Sequence, residues 1–238
     1  MSWIEPQWPV PASVAAISTL RTGGVSQAPF DSFNLGAGSG DDPNAVAANR
    51  ERLRLEAGLP GEPCWLRQVH GTRCVEAGPG EPEADASWTA DTGTVLAILT
   101  ADCLPVLLYS GEALAAVHAG WRGLCAGIIE QTLVTMPGYV GRTVAWLGPA
   151  IGSGAYEVGE EVRSAAIGEV PEDGDCFVAT RPGHWLMDLY GLARRRLQRA
   201  GVSVVTGGDY CTHSEPERFF SFRRDGQTGR MATLVWLR

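Results

Sequence analysis

Between Thr94 and His118 the chain reads TVLAILTADCLPVLLYSGEALAAVH, three apolar runs separated by TADC and SGE. Short apolar runs of this kind, bounded by turn residues, are of buried-strand type. The last two make a hairpin if Ser110 and Gly111 form a two-residue turn, with Tyr109 facing Glu112. On that register Cys103 lies directly opposite His118, on the same face, with Cβ atoms about 5 Å apart. That is close enough to share a proton or a metal ion. A three-residue turn would move the pair out of register. Pro105 cannot donate to a ladder, so its strand is expected at a sheet edge or with a bulge. The GW after His118 opens a helix, and helix N-termini favour an anion.

The rest of the chain supplies strands and helices in mixed order. SVAAISTL near Ser13 reads as a strand, followed by a turn at RTGGVS. DDPNAVAANRERLRLEAGLPG is a punctuated helix: Asp42 caps it, Pro43 is its first residue, Val46, Leu53 and Ala57 face inward, and Gly58 stops it. CWLRQVHG reads as a strand ending at His70. WRGLCAGIIEQTLVTMPG is expected to be one amphipathic helix with Cys125 in its apolar stripe. MDLYGLARRRLQRAG is a second, with Arg194 to Arg196 on a solvated face. TVAWLGPAIG, VSVVTGG, RFFSFRR and MATLVWLR read as further strands. AGPGEPEADAS is the most flexible-looking stretch and reads as a loop. With no repeat or linker, the expectation is a single domain over 1–238, of α/β (α+β) class, with mixed β-sheets and hairpins flanked by helices.

Composition narrows the partners. The net charge is −8, the reverse of the basic excess of a nucleic-acid binder. No uncharged apolar run reaches the roughly 18 residues of a membrane span, and the N-terminus has no basic segment of signal type. The expected location is cytoplasmic. Six cysteines without CxxC read as reduced thiols; Cys64, Cys176 and Cys211 are most simply buried ones. His184 and His213 fall in polar, loop-like segments and read as surface residues.

His70 joins Cys103 and His118 as a third candidate. Two histidines and one cysteine make a three-ligand set of catalytic-zinc type, with a fourth position left for water or substrate. The sequence separations match no local zinc motif, and each imidazole taken alone is equally readable as structural.

The stretches RTGGVS, FNLGAGSGDDPNAVAANR, QVHG, TADCLPVLL, AVHAGWRG, LGPAIG with YEVG, and FFSFRRDGQTGRMATLVWL occur in this order. Together they resemble the YfiH-like family, also called the polyphenol-oxidase or laccase-domain family. The resemblance implies an α/β fold and one zinc ion held by His70, Cys103 and His118. It implies phosphorolysis of adenosine, inosine, guanosine and 5′-methylthioadenosine, with deamination of adenosine. Some members are assigned an amidase role on a muramyl-peptide precursor, and older usage makes them copper-dependent polyphenol oxidases. The chain departs from the family at GPAIGSGAYEVG, where Ser153 and Gly154 stand in a stretch that often carries cysteine.

An open zinc lowers the pKa of water toward 7, which suits attack at adenine C6. Asp102 is the candidate proton shuttle, its alternative being a turn-capping carboxylate. Phosphate calls for a guanidinium. Arg21, Arg50, Arg223, Arg224 and Arg230 are candidates, with Arg21 and Arg230 first because they stand beside loop glycines. Trp121 or Phe220 could stack on a purine; both also read as core. The runner-up mechanism makes Cys103 a nucleophile with His118 as its base, in an amidase or other thiol hydrolase. His70 discriminates, since a dyad has no need of it. Blue multicopper chemistry needs an electron-transfer copper and a separate histidine-rich cluster, more than four histidines can supply. A closed structural zinc would need a fourth ligand from Cys64, Cys74, Cys211 or His213.

Overall fold

The structure is a computed structural model that describes residues 2–168 and 170–238. Its strands are β1 (Trp3–Ile4), β2 (Val14–Thr19), β3 (Cys74–Glu76), β4 (Ala86–Thr89), β5 (Val95–Thr100), β6 (Leu104–Tyr109), β7 (Leu114–Ala119), β8 (Val144–Leu147), β9 (Glu157–Gly159), β10 (Phe177–Arg181), β11 (His184–Met187), β12 (Val204–Gly207) and β13 (Met231–Leu237). The helices are α1 (Pro43–Glu56), α2 (Trp121–Ala126), α3 (Ile128–Thr135), α4 (Glu160–Ile167), α5 (Leu189–Arg199) and α6 (Phe222–Asp225).

Among the described residues the strands form three sheets, in strand orders β1-β2-β13-β5, β10-β11-β9 and β12-β8-β6-β7-β4-β3. The first two are antiparallel, and the last is mixed, with parallel pairs at β12–β8 and β3–β4. This is the mixed α/β architecture expected.

Why the central strands carry no polar alternation is now plain: both of their faces are covered. On β6, Val106 and Leu108 pack with Leu124, Ile128 and Leu192 of the helices, while Leu107 packs with Leu96, Ile98 and Val235 of the four-stranded sheet. On β5 the alternation continues outward, with Val95 and Ala97 against Leu53 of α1 and Phe33. The order is therefore helix, sheet, sheet, helix. α1 starts as read, with the Asp42 carboxylate accepting Asn44 N–H and Pro43 in the first turn.

Several local expectations fail for identifiable reasons. The β6–β7 connection is four residues, Ser110 to Ala113, because the Ser110 hydroxyl accepts Ala113 N–H at 3.1 Å and donates to Pro137 O at 2.7 Å. Tyr109 therefore faces Leu114, and His118 faces Pro105 rather than Cys103. β6 is also not an edge: it lies between β8 and β7. Pro105 is tolerated because the β8 ladder ends at the Val106–Leu147 pair, and Pro105 needs only to accept, from Gly148 N–H. The single helix after His118 is two, broken at Gly127 with φ 95°. CWLRQVHG makes only isolated bridges, at Cys64 and Arg67. RFFSFRR is no strand: Phe219 and Phe220 are buried, and Ser221 caps α6. His184 lies in β11 rather than a loop. The arginine triplet of α5 is not a solvated face either: Arg194 holds Val205 O and Gly207 O, Arg195 holds Asp175, and Arg196 holds Glu130 and Cys125 O.

Candidate metal centre

Cys103 and His118 meet in spite of the wrong register, because Cys103 lies in the turn ahead of β6. Asp102 has a left-handed backbone there, φ 89°. His70 comes from the loop ahead of β3 and is also left-handed, φ 62°. Such backbone costs roughly 1–3 kcal/mol in a non-glycine residue and persists only where the surroundings over-determine it.

The ligand atoms of His70, Cys103 and His118 all lie within 4.8 Å of one another. Cys103 Sγ is 3.7 Å from His70 Nε2, and the two imidazoles meet edge to face with centroids 4.7 Å apart. His118 is buried, Cys103 half-buried and His70 exposed, so the group opens to solvent beside His70. In a tetrahedral zinc site, neighbouring N and S ligand atoms stand about 3.3–3.6 Å apart. The Cys103–His70 separation and the two-imidazole, one-thiol donor set suit such an ion.

The residue that organises two of these donors carries no motif in the sequence. Asp85 is fully buried, within the stretch taken for a flexible loop. Its Oδ1 accepts His70 N–H at 2.9 Å and faces His118 Nδ1 at 2.7 Å. Its Oδ2 accepts Gly71 N–H at 2.7 Å and Val69 N–H at 3.2 Å. An ionised carboxylate only accepts, so Nδ1 of His118 carries the proton and Nε2 is left for a metal. The signal available in sequence was one acidic residue just ahead of an apolar strand, among several acidic neighbours.

Glycine completes the packing. A Cβ on Gly120 would sit 2.8 Å from His70 Cδ2 and 3.1 Å from Cys103 Sγ, and one on Gly123 would sit 2.8 Å from Gly71 O. Both glycines of HAGWRG keep the ligand turns in contact.

Charge is arranged with the geometry. Burial opposes ionisation of Cys103, but the His118 charge and hydrogen bond outweigh it and bring the thiol down to about 6. Burial likewise opposes a charged His118, but the thiolate and Asp85 raise it to about 9. Each partner thus favours the charged form of the other, the thiol shifted down and the imidazole up.

The remaining candidates separate clearly. Asp102 is buried; its carboxylate takes the Thr212 hydroxyl, the Ser221 hydroxyl at 3.0 Å and Arg223 N–H at 2.6 Å. Those three donors tie it into the protein as an anchor for the Cys103 turn. Arg21 is engaged at Nε, Nη1 and Nη2, by Asp31 O and Pro216 O. Arg223 donates to Glu157 O and lies over the Tyr156 ring. Arg50 and Arg224 are held by Leu35 O and Glu81, and by main-chain carbonyls and Asp225. Arg230 is half-buried at the start of β13 and feels the charges of Cys103 and Asp102. Phe220 is fully buried and Trp121 partly so, its ring under Arg122.

Cys74, Cys64, Cys211 and His213 stand outside the three-ligand group among the described residues. Burial pushes the Cys74 and Cys125 thiols up to about 11. Of the three thiols expected to be buried only Cys176 is. Cys211 is half-exposed, and Gly152 N–H and the Ser214 hydroxyl overcome its partial desolvation to lower its pKa.

The family model described as multi-copper polyphenol oxidoreductase laccase matches residues 15–238. The chain belongs to this family. A member from Pseudomonas aeruginosa, named a purine nucleoside phosphorylase, is 52% identical over 99% of this chain and 98% of its own length. Purine nucleoside phosphorylase YfiH of Escherichia coli is 50% identical over 98% of each. Among solved structures, protein NMB0706 of Neisseria meningitidis superposes with a TM-score of 0.96 at 45% identity, covering 100% of this chain and 99% of that one. No helix among the described residues is long and apolar enough to cross a membrane.

Proposed function

We propose that this chain is a metal-dependent purine nucleoside phosphorylase, with one zinc ion held by His70, Cys103 and His118. The observation that carries the reading is the convergence of those three donors on one solvent-open point. Relatives of about 50% identity that bear the phosphorylase name support it. In phosphorolysis a phosphate oxygen bonds to ribose C1′, the C1′–N9 bond breaks, and the purine leaves with the electron pair and gains a proton. Adenosine, inosine, guanosine and 5′-methylthioadenosine are the proposed substrates, and hydrolytic deamination of adenosine is a proposed second reaction.

When bound, zinc would supply Lewis acidity at an open coordination position. The protein's own groups prepare that position. Asp85 holds the proton on His118 Nδ1 and orients the ring. Its three backbone contacts fix the turn that presents His70. Gly120 leaves the space between His70 and Cys103 clear. Copper in the multicopper sense does not suit the donor set: His184 and His213 lie outside the group, so no separate histidine cluster accompanies it.

A second reading has one observation in its favour, the thiol of Cys103 lowered to about 6 beside His118. In that reading Cys103 attacks an amide carbonyl and His118 supplies the leaving-group proton. Product analysis separates the two. Adenosine incubated with phosphate is expected to give adenine and ribose 1-phosphate, and inosine without phosphate. Absence of both, with cleavage of a muramyl-peptide amide, would move the assignment to the amidase.

A further inference from the structure

A guanidinium taken out of water normally has an anion beside it. Arg230 breaks that pattern. Its side chain is half-buried, with Cγ packed against Gly36 so tightly that a Cβ there would sit 2.6 Å away. Desolvation lowers its pKa, while Cys103 and Asp102 pull the other way. Yet it makes no ion pair among the described residues. Its Nη1 donates to Thr228 O at 2.7 Å and Gly229 O at 3.0 Å. Neither Nε nor Nη2 has a protein acceptor among the described residues. Asp102, the nearby carboxylate, is engaged instead by Thr212, Ser221 and Arg223.

A second, independent irregularity lies two residues away. Thr228 is 1% exposed, and its hydroxyl has no hydrogen-bond partner among the described residues. A buried orphan hydroxyl costs about 1–3 kcal/mol and calls for an explanation. The backbone brings both residues to the metal centre. Met231, next to Arg230, pairs with Thr100, and Thr100 leads through Ala101 and Asp102 into Cys103. The main chain here is fixed by Asn34, whose Oδ1 accepts Arg230 N–H at 2.8 Å and Gly36 N–H at 3.0 Å.

We infer that Arg230 and Thr228 form an oxyanion subsite of the His70–Cys103–His118 centre, and that its ligand is a phosphate group. The guanidinium offers Nε and Nη2, two donors in fork geometry that match two phosphate oxygens. The Thr228 hydroxyl offers a third donor. The choice of free phosphate as the physiological ligand rests on the phosphorolysis reading. The same chemistry would also take the 5′-phosphate of a nucleotide. Arg21 spends its donors on Asp31 O, the Asp31 carboxylate and Pro216 O, and Arg223, whose guanidinium donates Nη1 to Glu157 O, is exposed rather than half-buried.

Calorimetric titration of the zinc-loaded protein with inorganic phosphate, and separately with AMP, tests this. Zinc content is checked in each variant. Wild type is expected to bind phosphate, and Arg230→Gln to bind it about 10- to 100-fold more weakly at unchanged zinc content. Thr228→Val conserves shape, so it is expected to weaken phosphate several-fold while leaving the melting temperature level or higher. A Thr228→Val protein that gains stability and keeps its phosphate affinity would remove the hydroxyl from the subsite. Equal phosphate and AMP binding in wild type and Arg230→Gln, or none in wild type, would overturn the inference. Arg230-dependent phosphate binding by a protein that cleaves no nucleoside would leave the subsite standing and end the phosphorylase reading. Arg230-dependent binding of AMP alone would keep the subsite and change its source.

Discussion

Two buried carboxylates flank the ligand cluster, and they are wired in opposite ways. Asp85 touches the ligands themselves: one oxygen reaches the His118 ring and the backbone of His70. Asp102 is the chain neighbour of Cys103, yet its side chain touches none of the three. It holds Thr212, Ser221 and Arg223, segments more than a hundred residues away in sequence. One carboxylate sets the protonation and aim of an imidazole; the other closes distant loops over the turn that carries the thiol. Proximity in sequence to a ligand is thus a poor guide to which acid serves it.

The largest effect that would sharpen this contrast is on stability. Asp102→Ala leaves three donors facing a cavity, and is expected to cost about 3–5 kcal/mol. At this chain length that is a fall of roughly 10 °C in melting temperature, read by calorimetry. Next comes metal affinity. Asp85→Asn is expected to weaken zinc about 10- to 100-fold in competition with a chelator, while Asp102→Asn stays within about threefold of wild type. The reverse pattern would break the comparison. Gly120→Ala pushes a methyl into His70 and Cys103 and is expected to reduce turnover about tenfold with little change in melting temperature.

The smallest effect is a titration. In the metal-free protein, absorbance of the thiolate near 240 nm, taken as wild type minus Cys103→Ser, is expected to rise with a midpoint near pH 6. The linkage signs differ for the two partners. Cys103, lowered from 9.0 to about 6, adds stability above pH about 9 and loses it as pH falls through about 6. His118, raised from 6.5 to about 9, adds stability below pH about 6.5 and loses it as pH rises through about 9. A midpoint near 9 for the thiol would show that His118 is not charged beside it.

The sequence carried much of this site but not its supports. The apolar runs announced strands buried on both faces, and Asp42-Pro43 marked α1 to the residue. The three candidate donors were legible because they stand in a recognisable order of motifs. Their meeting was not legible from hairpin arithmetic: the Ser110 hydroxyl lengthens the turn, and Cys103 reaches His118 from a left-handed turn instead of a ladder. Asp85 was hidden because Pro, Gly and Glu around it read as solvent-exposed loop, and its burial arises only when that loop folds under the turn at His70. The helix break at Gly127 and the engaged arginines of α5 are likewise tertiary outcomes, which local periodicity does not record.

The most direct measurement takes zinc content and phosphate-dependent release of adenine from adenosine on one preparation, for wild type, chelator-stripped wild type and Cys103→Ala. About one zinc per chain is expected in wild type, with metal and base release lost together in the other two and activity restored to the stripped protein by zinc. Stripped wild type that keeps full activity while Cys103→Ala has none would contradict the metal centre and make Cys103 the nucleophile.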